Sequence, residues 1–304
     1  MLNVERIRVL HAIASSGSVK AAADALQVTT SAVSQQMAKL EQEVGQRLLE
    51  RSGRGIRLTG AGELLVRHAG RILSVVEEAE ADLEERRGAV VGQLAITAFA
   101  TAARGLCPAA LAALDRQHPD LHVELTEMEP GEAVPLVSRG HIDLVVAQDW
   151  FNAPLAVPDG LVKSPLMDDV ADVALPARHP MARRKQIELA ELAHERWISW
   201  PRGWICHDWL VHTLRGQGIE PTMAHQAAEH HTQLALVAAG LGVCVAPRLG
   251  RDPVPRGVRL VAVQPALRRH IYAIWRADAA RRPGIRAAIE ALRRSAASLR
   301  PASA

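Results

Sequence analysis

The stretch Ser18–Leu58, SVKAAADALQVTTSAVSQQMAKLEQEVGQRLLERSGRGIRL, constrains this chain more than any other. It reads as a helix, a short turn, a second helix and a small basic hairpin. Ser18 is a capping residue type, and Lys20–Leu26 is nearly all small and apolar, so another helix can pack very close. Gln27-Val28-Thr29 has the length of the turn in a helix-turn-helix. Thr30 is the expected cap of the next helix, where Val33, Met37, Leu40 and Val44 recur as one buried stripe. The opposite face carries Ser31, Ser34, Gln35, Lys39 and Gln42, the short donors and acceptors that read base edges from a helix in the major groove. Gly45 is expected to end that helix. Ser-Gly and Arg-Gly pairs within Glu50–Leu58 predict a turn between two short strands. Arg51, Arg54 and Arg57 project from this wing, where arginines reach phosphates or the minor groove. A Ser/Gln-rich face alone is most often just solvated; the combination of helices, turn and basic hairpin is what points to double-stranded DNA.

The segment resembles the N-terminal winged helix-turn-helix of the LysR-type transcriptional regulators. The residues that carry the resemblance are Ser18, Ala21-Ala22-Ala23, Leu26, Thr30-Ser31-Ala32-Val33-Ser34, Leu40-Glu41, Gly45, Leu48, Glu50-Arg51, Leu58-Thr59 and Gly62. Leu49 departs from it, apolar for apolar, where the family usually has Phe.

Thr59 can cap a long helix from Gly60 to about Arg87. Leu65, Ala69, Ile72, Val76, Ala79 and Leu83 alternate at four and three residues, a heptad seam that calls for a partner helix. The acidic run Glu77, Glu78, Glu80, Asp82, Glu84 and Glu85 sits off the seam. A helix of ~28 residues is ~42 Å long, too long to bury on a small head, so a second copy is the expected cover, with Leu65 and Ile72 in the interface. A dimer would set two heads on two half-sites of an inverted repeat. The resemblance makes this the linker helix of a homodimer or homotetramer. The expected divisions are residues 1–58 for the DNA-binding head, 59–88 for the linker helix and 89–304 for an effector-binding domain.

From Gly92 onward, strands and helices alternate: strands at Leu94–Ala98, His122–Thr126 and Ile142–Val146, with helices at Thr101–His118 and Glu132–Arg139. A second set follows, and the chain then returns through a strand at Ile271–Trp275 to a basic terminal helix, Gly284–Leu299. The pattern argues for α/β structure with a largely parallel sheet. The fold class is thus α+β multidomain, and the resemblance implies a two-lobed α/β domain like a periplasmic-binding protein. Leu136–Leu144 and Val237–Val243 match the most recognisable stretches of the family's effector domain. Lobe 1 is expected at about 92–163 plus 267–304 and lobe 2 at about 164–266, with crossings near 163 and 266.

A cleft between lobes is where a small molecule should bind. Helix N-termini facing it would favour an anionic group. Ala100 and Thr101 open the first such helix. Trp200, Arg202 and Trp204 offer indoles and a cation able to pair a carboxylate, and His230 opens another helix. Four of the six tryptophans fall between 197 and 209, which favours an aromatic or amphipathic effector, although any of them can equally be core. The resemblance implies that the effector shifts the lobes and so changes the spacing of the heads; RNA polymerase is a further partner it admits.

The histidines and cysteines near 206–231 lack paired zinc spacing, so neither metal nor cofactor is expected. Cys107, Cys206 and Cys244 are widely spaced, and a redox-sensing variant using Cys206 and Cys244 is the alternative. A G-x-S-x-G elbow, a Walker A loop and an H-E-x-x-H pair are all missing from the sequence, which argues against an enzyme. No apolar run approaches the ~20 residues of a membrane span, and the charged start Met1–Gly17 has no signal-peptide core. The chain is therefore expected in the cytoplasm.

Overall fold

The computed structural model describes residues 2–26, 28–52, 55–87, 90–251 and 253–299. The chain divides into two units, Met1–Gly88 and Ala89–Ala304. Among the described residues no helix is long and apolar enough to cross a membrane.

The first unit contains α1 (Val4–Ser16), α2 (Val19–Ala25), α3 (Thr30–Val44), β1 (Leu49–Ser52), β2 (Gly55–Leu58) and α4 (Gly60–Arg87). Ser18 Oγ caps α2 by accepting from Ala21 N at 3.1 Å. The cap of α3 falls one residue earlier than expected. Thr29, with extended backbone, accepts from Ala32 N at 3.2 Å, and Thr30 is the first helical residue. The two threonines offer the same hydroxyl; only the backbone angles separate them. Gly45 ends α3 in the left-handed region at φ 68°. Val33, Met37 and Leu40 enter a core with Leu10, Ile13, Ala22 and Ala23, and Val44 packs at its edge. β1 and β2 pair antiparallel, as the turn signals predict. Glu41 Oε1 accepts from the backbone N–H of Leu48 at 2.8 Å and of Leu49 at 3.1 Å, which ties the wing to α3. At Gly62 a Cβ would lie 2.2 Å from Leu48 O, so α4 meets the wing at a distance only glycine permits.

Thr59 Oγ1 accepts from Gly62 N at 3.1 Å at the start of α4. The seam then behaves differently along its length. Ala69 and Leu73 are buried against Ile7, with Val4 and Ile72 beside them, and Leu65 packs on the head core. Leu65 and Ile72 are thus partly buried on the chain's own head rather than left open along the helix. Among the described residues of α4 the exposed large apolar side chains are Leu64, Val75 and Leu83. The side chains of the acidic run Glu77–Glu85 lie outside the described part.

The second unit runs β3 (Gly92–Ala98), α5 (Ala100–Gly105), α6 (Cys107–Gln117), β4 (Leu121–Glu127), α7 (Pro130–Ser138), β5 (Leu144–Trp150) and β6 (Leu161–Pro176). It continues through β7 (Gln186–Ile187), β8 (Arg196–Ser199), α8 (Ile205–Gly216), β9 (Thr222–Gln226), α9 (His230–Ala238) and β10 (Cys244–Pro247). It closes with β11 (Val258–Val263), β12 (Leu267–Arg276) and α10 (Pro283–Leu299). The expected single helix Thr101–His118 is two, because Pro108 sits in the first turn of α6 and could not continue α5.

The main sheet is ordered β4-β3-β5-β12-β6-β11-β7, with β10 also on β6; β8 and β9 form a separate pair. β3 is parallel to both neighbours, but β12 and β6 run antiparallel to theirs. The sheet is therefore mixed rather than largely parallel. β6 carries the chain past residue 163 without a break. Its early residues pair with β12, and its last ones with β10 and β11. The passage between lobes lies inside two paired strands, where Asp169 stands opposite Arg269. One core packs α6 and α10 against one face of the first lobe, and another lies around Trp197, Trp209 and Leu210 in the second.

Candidate functional site

In the head, Ser31, Ser34, Gln35, Lys39 and Gln42 are all exposed on the side of α3 away from the buried stripe. Ser31 Oγ lies 2.9 Å from Thr29 Oγ1, and Ser34 Oγ donates to Thr30 O. Gln35 and Lys39 have no polar partner among the described residues and are free to meet base edges. Arg57 is engaged across the wing with Glu50, which raises its pKa. That pair is exposed, and a phosphate can displace its carboxylate with little loss. Arg54, and the side chain of Arg51, lie outside the described part.

In the second unit the sequence-predicted cleft residues mostly converge. Ala100, Thr101, Trp200 and His230 line an inner cavity together with Phe99, Arg104, Glu129, Gln148, Cys206, Ala228 and Arg269. Its volume is about 20 Å³, enough for little more than one water. An outer cavity of about 240 Å³ shares Ala100, Glu129 and Ala228 with it and adds Glu127, Met128, Glu132, Trp204 and Glu229. Arg202 lines neither; it is exposed, with its backbone N–H on Gln226 Oε1. Trp197 and Trp209 are core, the latter stacked on Trp150 at 3.5 Å.

The residue that organises the inner cavity is Arg269, which the sequence reading missed. Its Nε and Nη2 donate to Asp169 Oδ2 at 2.9 and 2.7 Å, Nη2 donates to Thr101 Oγ1 at 2.9 Å, and Nη1 donates to Gln148 Oε1. Gln148 Nε2 in turn donates to Cys206 Sγ at 3.2 Å. Asp169 also accepts from Leu249 N. Only the register of β12 against β6 singles out this arginine from the many others near it in sequence.

His230 is buried, and its Nε2 has no hydrogen-bond partner among the described residues. Its Nδ1 lies 3.3 Å from Gln233 Oε1, whose amide is oriented by donation to Ala227 O. Oε1 only accepts, so Nδ1 carries the hydrogen and Nε2 presents a bare lone pair. Burial, and then the Arg269 charge, push its pKa down to about 3, so the ring is neutral. Burial pushes the Glu129 carboxyl up to about 7, with Glu127 and Glu132 adding to the rise and Arg269 opposing it. Among the described residues no group of three His, Cys, Asp or Glu side chains gathers to hold a metal ion.

A winged head with an exposed polar reading face, joined in one chain to a two-lobed domain with a polar cleft, defines a ligand-responsive DNA-binding regulator. Residues 4–63 match "Bacterial regulatory helix-turn-helix protein, lysR family", and residues 87–297 match "LysR substrate binding domain". The chain belongs to the LysR family of transcriptional regulators. It is 28% identical over 300 residues to the probable HTH-type transcriptional regulator LrrA of Synechococcus elongatus, covering 98% of this chain and 99% of that one. It is 27% identical to the dual regulator OxyR of Escherichia coli, covering 96% and 95%. Among solved structures it resembles the H2O2-bound C206S mutant of Corynebacterium glutamicum OxyR, with TM-score 0.62 and 26% identity over 97% of this chain and 95% of that one. It also resembles full-length CbnR complexed with its target DNA, with TM-score 0.58 and 25% identity over 97% and 100%.

Proposed function

We propose that this regulator reads an inverted-repeat promoter site as a homodimer or homotetramer in the cytoplasm, with Ser31, Ser34, Gln35 and Lys39 at base edges and Arg51, Arg54 and Arg57 at the backbone or minor groove. A small molecule held between the lobes, near Ala100, Thr101, Trp200, Trp204 and His230, biases one lobe arrangement over another and so modulates DNA binding. Arg202, exposed and off both cavities, is left out of that set. The observation that carries the reading is the fully exposed polar face of α3 beside the basic wing. The test is fluorescence anisotropy of the full chain on the DNA just upstream of its own coding region, across a salt series. Binding that outcompetes random DNA supports it; no binding at low salt would remove the head's assignment.

Gln35→Ala is expected to weaken specific binding by ~1–3 kcal/mol while sparing random DNA. Equal loss on both would contradict base readout by this side chain.

The effector reading also implies no turnover: a ligand should be recovered intact while DNA affinity shifts. The redox alternative has less support. Burial pushes both the Cys206 and Cys244 thiols up to about 12, which disfavours the reactive thiolate. The two sit in different core clusters. Peroxide is expected to leave DNA affinity unchanged; a shift abolished by Cys206→Ser would reinstate Cys206 as a sensor.

A further inference from the structure

The outer cavity has a composition that a carboxylate effector does not fit. Four of its lining residues, Glu127, Glu129, Glu132 and Glu229, are acidic, and Lys and Arg are absent from its lining. None of the four carries an ion pair or hydrogen bond from its side chain among the described residues. An ordinary structural explanation is at hand, since Glu129 and Glu229 occupy the cap positions of α7 and α9 and helix N-termini favour acids. Yet neither makes a side-chain cap hydrogen bond. Their charge faces the cavity without being used to close the helix. The outer cavity thus sets four carboxyl groups around one opening, while the inner one is lined by Arg104 and Arg269.

A second observation is independent of the acids. His230 is 5% exposed and is one of the residues lining the inner cavity, and its Nε2 has no hydrogen-bond partner among the described residues. An unmatched buried acceptor is unfavourable until a donor reaches it. The site thus asks for N–H or O–H inside and positive charge at the mouth. Trp204 also lines the outer cavity, and an indole is the side chain that attracts organic cations best.

We propose that the effector of this cleft is a small organic ammonium compound, its cationic end held at the mouth by Glu127, Glu129, Glu132 and Glu229 beside Trp204, with a donor group reaching His230 Nε2. The proposal rests on the effector reading and names its chemical class. Cation binding also favours the ionised Glu129 carboxylate, so a proton held there near neutral pH leaves as the ligand enters.

The test is calorimetric titration of the full-length protein with 1,4-diaminobutane, and with 1,4-butanediol and succinate as neutral and anionic counterparts, paired with DNA anisotropy. The expected order of affinity is diamine, then diol, then succinate. In the triple variant Glu127→Gln, Glu132→Gln, Glu229→Gln, all three changed residues are exposed, so the fold should persist. Its diamine affinity should fall by about tenfold or more, since each exposed carboxylate contributes a factor of roughly two to five. His230→Phe, which keeps a ring but removes the acceptor, should weaken the diamine further. Absence of diamine binding, or diamine affinity unchanged in the triple variant, overturns the proposal. Succinate binding that shifts DNA affinity overturns the amine class yet keeps the effector reading. Failure of all three probes to alter heat or DNA binding counts against both.

Discussion

Arg269→Met is expected to destabilise the effector domain by about 3–5 kcal/mol, the usual result of removing one partner of a buried ion pair. Arg269 and Asp169 are 1% and 5% exposed and stand opposite one another in adjacent antiparallel strands. Without the guanidinium, Asp169 keeps only the Leu249 N–H as a hydrogen-bond donor among the described residues, and its charge stays buried. Thr101 and Gln148 lose a donor as well. Urea unfolding of the full chain, followed by tryptophan fluorescence, measures the change in midpoint. The double variant Arg269→Met, Asp169→Leu should recover most of the loss, because the cost lies in the uncompensated charge and not in the absence of attraction. A single variant that loses less than about 1 kcal/mol would mean that water reaches Asp169 and that the pair is not an organising contact.

The second large effect concerns assembly. Val75→Asp with Leu83→Asp should convert the oligomer to monomers in sedimentation and abolish tight binding to a paired half-site. Val75 and Leu83 are 63% and 62% exposed on α4, where a second long helix packed along it would cover them. Placing two charges there disfavours helix pairing without touching the head's own core. Leu65 and Ile72, which lie on the heptad seam with Leu83, are the contrasting controls. Their side chains pack on the chain's own head, so charges there should lower the melting temperature of the head rather than dissociate folded copies. A stable dimer of the Val75, Leu83 variant would move the interface elsewhere.

The head was legible because its determinants are local. A hydroxyl before a run of small residues, a stripe at helical spacing and a glycine at a left-handed position act within a few residues of one another. Ser18, Val33–Met37–Leu40 and Gly45 all hold the places their neighbours dictate. Thr29 displaced Thr30 as the cap only because two identical hydroxyls are adjacent. The extent of α4 was legible for the same reason, whereas which half of its seam meets α1 was not, since that depends on where α1 lies.

In the effector domain the sequence by itself determined the alternation of strands and helices, and offered Ala100, Thr101 and His230 at helix starts and Trp200 and Trp204 in a loop, residues that line the two cavities. The tertiary structure alone decided the rest. Antiparallel pairing of β12 with β5 and β6 joins segments a hundred or so residues apart, and no local spacing encodes that register. It sets Arg269 opposite Asp169 and leaves Arg202 outside. It also gathers four glutamates, each unremarkable beside its own helix, around one opening. Charge acts through space, so the sign of the cleft belongs to the folded chain and not to any stretch of its sequence.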